Sequence, residues 1–119
     1  MMRESPFTKS VQHAFRGIVY AWSHERNFRI QLVIGFLVMV GALLVRVSFV
    51  EWAILALAIS TVCILELVNT VIEHMMDALS PRIHPYASVV KDIMASAVLI
   101  ASLAALLVGL TILLPRILL

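Results

Sequence analysis

Residues Ile93 to Leu114 are 22 consecutive positions without a charged side chain, and this run constrains the fold of the chain more than any other feature. About 20 apolar residues wound as a helix cross the hydrocarbon of a bilayer, so this segment can span a membrane unaided. Two further runs reach that length only with their flanks. Leu32–Val45 extends to Phe28 and Val50, and Trp52–Leu65 is interrupted only by Ser60 and Thr61, whose hydroxyls can bond back to their own helix. Of the 119 residues, 62% are hydrophobic and 13% charged, with a mean hydropathy of +1.04. That leaves too few polar side chains to cover a water-soluble domain. The expected fold is one all-α integral membrane domain over residues 1–119, with transmembrane helices at 28–50, 51–79 and 88–115.

Before the spans, Phe7, Val11, Ala14, Phe15, Ile18, Val19 and Trp22 recur at helical spacing, while Lys9, Gln12, His13, Arg16 and Ser23 fall largely on the other side. Ser5-Pro6 is a favourable helix start, a capping hydroxyl followed by proline in the first turn. The pattern predicts an N-terminal amphipathic helix over 5–24 lying in the membrane interface, with Tyr20 and Trp22 at headgroup depth. No short apolar core is followed here by a small-residue cleavage site, so a cleaved leader is not expected. Arg3, Lys9, Arg16, Arg26, Arg29, Arg82 and Lys91 fall on one side of the spans, and Arg46 and Arg116 on the other. This bias places the N-terminus in the cytoplasm and the C-terminus outside. The net charge of +2 is spread along membrane edges and gives no single-faced basic stripe of the kind nucleic acid requires. Cys63 stands alone and is expected to fill space. Turns are expected at SPRIHPYAS, through Pro81 and Pro85, and at RVSFVEW.

The second span ends in ILELVNTVIEHMMD, Ile64 to Asp77, which is far more acidic than its surroundings. At 100° per residue, Glu66, Glu73 and Asp77 fall within about 40° of one another, with Asn69 close by, in a stripe about 16 Å long. A charge facing lipid costs at least ~2.5 kcal/mol, so the stripe is expected to face protein or water near the cytoplasmic surface. Glu25 before the first span and Lys91-Asp92 at the start of the third reach the same depth. Acids gathered at one level repel unless cations hold them together. An all-oxygen donor set without His or Cys spacing suits a hard divalent ion, most naturally Mg²⁺. Such an ion beside a lysine and an arginine would serve nucleotide phosphates, with Glu66, deepest in the membrane, as a base for a lipid hydroxyl and Glu73 as a metal ligand. The four glycines form no phosphate-cradling loop. A transporter or channel subunit and a structural subunit are the other readings that these residues allow.

In combination, ELVNTVIEHMMD, HERNFR, EWAIL, HPYA and KD resemble the prokaryotic diacylglycerol kinase and undecaprenol kinase family, over essentially the whole chain. The family pattern is roughly Glu-x-x-Asn-Ser/Thr-x-x-Glu-x-x-x-Asp. The resemblance implies a homotrimeric membrane enzyme, with active sites shared between chains, that moves the γ-phosphoryl group of ATP to a lipid hydroxyl at the cytoplasmic face of the inner membrane. It implies Glu66 as general base and Glu25 and Glu73 as Mg²⁺ ligands. His13, Arg82, His84, Lys91 and Asp92, together with Glu25 and Glu73, would contact the nucleotide. Asn69 would support the centre, and Asn27 and Arg29 would lie near the lipid headgroup. His74 is expected to pack or face water. ERNFR, NTVIEHMMD, HPYA and GLTILLPRI look more like the branch that phosphorylates undecaprenol, with diacylglycerol as the alternative acceptor.

Overall fold

The computed structural model describes residues 3–79 and 85–119 as four helices, α1 (Pro6–His24), α2 (Arg26–Leu44), α3 (Phe49–Leu79) and α4 (Pro85–Leu118). The last three are each long and apolar enough to cross a membrane. Arg82 and His84 lie outside the described residues.

The apolar pattern produces helices because a lipid-embedded backbone must satisfy its own hydrogen bonds. The polar residues set where those helices stop. Ser5 caps α1, its Oγ accepting from the Thr8 N–H at 3.1 Å, with Pro6 in the first turn. The first span ends six residues short of the expected boundary at 50, for two local reasons. Arg46 takes a left-handed φ of 58°. The Arg46 and Val47 N–H groups then close back on the Leu43 and Ala42 carbonyls at 3.3 and 3.2 Å, forming the Schellman arrangement that ends a helix. Two residues on, Ser48 and Glu51 make a reciprocal capping box: the Glu51 N–H donates to Ser48 Oγ and the Ser48 N–H to Glu51 Oε1. Glu51 also pairs with Arg116 at the far end of α4, whose Nη1 donates to the Arg46 carbonyl at 3.3 Å. The third span begins at Pro85 rather than 88, since proline suits a first helical turn.

The molecule measures 57 × 51 × 21 Å. α3 is the central helix, packed on α4 along one side and α2 along the other, so the spans form a layer. Three helices at 8–10 Å spacing make a layer about 30 Å wide, and the second long dimension therefore comes from α1, which projects sideways. Buried positions recur every seven residues at Ala21, Phe28, Gly35 and Ala42, and α3 has buried Leu55 and Val62, with Ala42 packed in one cluster with Leu55. A seven-residue seam packs two helices at a shallow left-handed crossing. Lipid offers apolar contact as good as leucine does, so small residues that let backbones approach drive association here.

Gly35 is the point of closest approach. A methyl group built on it would sit 2.6 Å from Ile59 Cγ2, and a β-branched side chain in a helix has little freedom to move away. Gly35→Ala should therefore cost about 1–3 kcal/mol, read as a lower midpoint of thermal inactivation in micelles. Ile59→Ala in the same chain should recover part of that loss.

Candidate active site

The packing seam of α3 does not end where its apolar residues end. Leu55, Val62, Glu66 and Thr70 are its buried positions, so Glu66 occupies the seam itself, one turn beyond Val62. It is only 5% exposed, and no described residue donates a hydrogen bond to its carboxyl group. Thr70 leaves it alone as well: its hydroxyl returns to the Glu66 backbone carbonyl at 3.0 Å. Glu73, two turns further on and half-buried, accepts from Asn69 Nδ2 at 3.3 Å. The other amide atom, Asn69 Oδ1, is buried with no donor.

Glu25 enters from the opposite side. It is the single extended residue between α1 and α2, with φ −113° and ψ 104°, and this break turns the chain from the sideways helix into the first span. Its N–H closes on the Ala21 carbonyl at 2.8 Å, and its own carbonyl accepts from the Arg29 N–H at 3.2 Å. The charges of Glu73 and Glu25 both act on Glu66. Glu66, Asn69 and Glu73 thus follow one another over two turns of α3, and Glu25 reaches the same end of the helix from the elbow where α1 meets the spans.

Asp77 departs from the expected single stripe. It is well exposed and turns to α4, where it pairs with Lys91. The lysine also lies within the field of Glu73, so the two groups of acids remain electrostatically connected. Asp92 and Asn27 are exposed, and neither side chain pairs with a described residue. His13 is exposed too and stands about 18 Å along α1 from Glu25, far from the acids of its own chain. Arg29 has a structural role: its Nη1 donates to the Trp22 and Ser23 carbonyls at 2.9 and 3.2 Å, satisfying the open end of α1.

Sequence reasoning missed this cap, and it missed the contact between His74 and Glu25. His74 Nε2 lies 3.4 Å from Glu25 Oε1, across 49 positions of sequence, so no local spacing signals it. Arg29 did carry a signal, a basic residue five positions past the end of a helix.

Beside the acids, Ala14, Gly17, Ile18, Tyr20 and Ala21 of α1 face Leu67, Thr70, Val71, His74 and Met75 of α3 across an almost wholly apolar groove of about 620 Å³. A second apolar groove, about 380 Å³, runs over α3 between α2 and α4, lined from Gln31 of α2 to Leu113 of α4. Among the described residues no three His, Cys, Asp or Glu side chains converge to hold a metal ion alone. The donors present are nevertheless all oxygen: three carboxylates and an amide oxygen buried without a donor. That set fits a hard divalent cation.

A layer of membrane-spanning helices with clustered acids at one edge, a lysine close by and an apolar groove alongside defines a membrane enzyme handling a lipid and a phosphate group. The chain belongs to the prokaryotic diacylglycerol kinase family, whose profile matches residues 12–113. It is similar to the undecaprenol kinase of Bacillus subtilis (strain 168), 39% identical over 92% of this chain and 89% of that one. It is similar to a diacylglycerol kinase of Synechocystis, 40% identical over 92% of this chain but 63% of that longer protein. The diacylglycerol kinase of Escherichia coli (strain K12) is 30% identical over 82% of this chain and 80% of that one. The protein is a multi-pass membrane lipid kinase, a phosphotransferase that uses ATP and acts on an alcohol.

A carboxylate buried without donors opposes folding, because a charge in the membrane is costly wherever it is unpaired. Glu66→Leu should raise thermal stability in micelles by about 0.5–2 kcal/mol while removing turnover, the trade expected of a side chain kept for chemistry. A drop in stability would mean that Glu66 has a partner it needs.

Proposed function

We propose that this kinase phosphorylates undecaprenol at the cytoplasmic face of the inner membrane, with Glu66 as general base. The observation that carries the reading is the burial of Glu66 at the end of the α3 seam, between the charges of Glu25 and Glu73 and beside the apolar groove under α1. A lipid chain lying in that groove brings its hydroxyl to the deepest carboxylate. Glu66 takes the hydroxyl proton, and the oxygen forms its bond to the γ-phosphorus of ATP. The bond from that phosphorus to the β–γ bridging oxygen breaks, and ADP leaves. Positioning supplies most of the acceleration in such transfers.

Glu25 and Glu73 hold Mg²⁺ in this scheme, with the Asn69 amide steadying Glu73. The ion, when bound, offsets charge that builds on the phosphates. Lys91 moves between Asp77 and the nucleotide. Arg82, His84, Asp92 and His13 complete the phosphate and base contacts, and Asn27 and Arg29 face the lipid headgroup. The enzyme would act as a homotrimer whose sites combine residues of neighbouring copies, His13 being exposed on α1 and so open to a second chain. In a layer only 21 Å thick, Glu25 and Glu73 stay partly exposed, where another copy can pack over them. The uncovered Phe7, Phe15 and Val19 support α1 lying in the interface, and the distribution of Lys and Arg supports a cytoplasmic N-terminus and an outer C-terminus.

Undecaprenol is favoured by the Bacillus relative, which matches nearly end to end. The Synechocystis relative, equally identical over the aligned part, supports diacylglycerol as the second reading.

Glu66→Gln keeps size and loses basicity, so turnover should fall about 10²–10⁴-fold with the oligomer intact. Full turnover in that variant rules out the base assignment. Glu73→Gln should raise the Mg²⁺ concentration needed for half-maximal rate, and an unchanged titration would discredit it as a ligand. In mixed micelles holding both alcohols, γ-labelled phosphate should appear chiefly on undecaprenol. Label mainly on diacylglycerol would select the second reading.

A further inference from the structure

Glu25 is the one acid of this group that does not lie within a helix. Glu66 and Glu73 belong to a long helix that fixes their direction, whereas Glu25 is the lone extended residue of an elbow. Its carboxylate nevertheless turns toward α3, where His74 Nε2 lies 3.4 Å from Oε1. A carboxylate only accepts hydrogen bonds, so the facing ring nitrogen carries the hydrogen, and Nε2–H donates. The ring is itself steered. Tyr20 of α1 meets it edge-on, with centroids 6.0 Å apart and planes at 76°, and Tyr20 is stacked on His24 at 4.2 Å. Two aromatic contacts and one hydrogen bond thus link the surface helix, the elbow and the central span. None of these three side chains has a part in the reaction scheme above.

We propose that His74 is a positioning residue that holds the Glu25 carboxylate against α3, next to Glu73, where the two acids can share one divalent cation. The inference rests on the reading of Glu25 and Glu73 as ligands. Carboxylates that bind metals are generally hydrogen-bonded from behind, and removal of that partner typically weakens metal affinity about 10–100-fold. His74 follows Glu73 directly in α3, so the residue that orients one acid moves rigidly with the other.

The test uses the full-length protein in micelles and reads Mn²⁺ binding directly from the electron paramagnetic resonance signal of the free ion. His74→Phe, which keeps a ring and loses the donor, should weaken Mn²⁺ binding about 10–100-fold. The half-saturating Mg²⁺ for turnover should rise in parallel, while kcat at saturating Mg²⁺ falls much less. His74→Gln, which retains an N–H, should recover most of the affinity. In a Glu25→Gln background, His74→Phe should add no further loss. Unchanged Mn²⁺ binding in His74→Phe, with weakened binding in Glu25→Gln, overturns the positioning role and leaves the ligand assignment standing. Unchanged binding in Glu25→Gln instead removes that assignment. Should His74→Phe not assemble, nitrogen-15 spectra of histidine-labelled parent protein decide. A His74 protonated at Nε2 whose signal moves on Glu25→Ala supports the proposal, and a signal indifferent to that change sinks it.

Discussion

A carboxylate below the membrane surface must be enclosed by protein or reached by water, and the rest of this molecule is arranged around that demand. Glu66 meets it by standing where α3 would otherwise place another apolar seam residue, in line with Leu55 and Val62. The contacts that pack the helices around Leu55 and Val62 therefore continue, further along α3, as the contacts that shelter an acid. Turned to a lipid-facing side of the helix, the same charge would cost ~2.5 kcal/mol or more. The seam fixes both the fold and the depth at which this acid lies.

Because lipid tails compete equally for apolar side chains, the layer cannot rely on burying leucines, and most of its large hydrophobic residues are exposed. It is held by close approach at Gly35 and Ala42, and by polar fastenings at both ends. At one end, Glu51, Arg116 and the Arg46 carbonyl tie the start of α3, the end of α4 and the turn after α2. At the other, Arg29 closes α1, His74 reaches Glu25, and Lys91 reaches Asp77. The first end pairs its one acid, whereas the second holds the buried Glu66 and an Asn69 Oδ1 that meets no donor among the described residues.

The sequence made much of this legible. An uncharged run of 22 residues at 93–114 admits few alternatives to a span, and the spacing of Glu66, Glu73 and Asp77 places them on one side of a helix by arithmetic alone. Less visible was what breaks that arithmetic. Asp77 follows the helical spacing yet turns to Lys91, because its end of the stripe is exposed and an ion pair with a neighbouring helix decides its direction. The end of α2 was set too late because an arginine in a left-handed conformation is uncommon, and hydrophobicity alone carries through Val45 and Val47. The capping box of Ser48 and Glu51 was readable in principle, though its signal was hidden in an otherwise apolar stretch. The contact between His74 and Glu25 depends on which faces two distant helices present, which no local pattern encodes.

The bend at Glu25 interrupts the helix without interrupting the register of what is buried. Ala21, Phe28, Gly35 and Ala42 keep their seven-residue interval straight through it. Gaining or losing one residue there would rotate everything upstream by about 100° relative to everything downstream, taking Tyr20 and His24 together away from His74. The packing at this corner thus depends on its length. Among related chains of this kind, insertions should collect beyond the first helix or in the connection before α4, and leave this joint untouched.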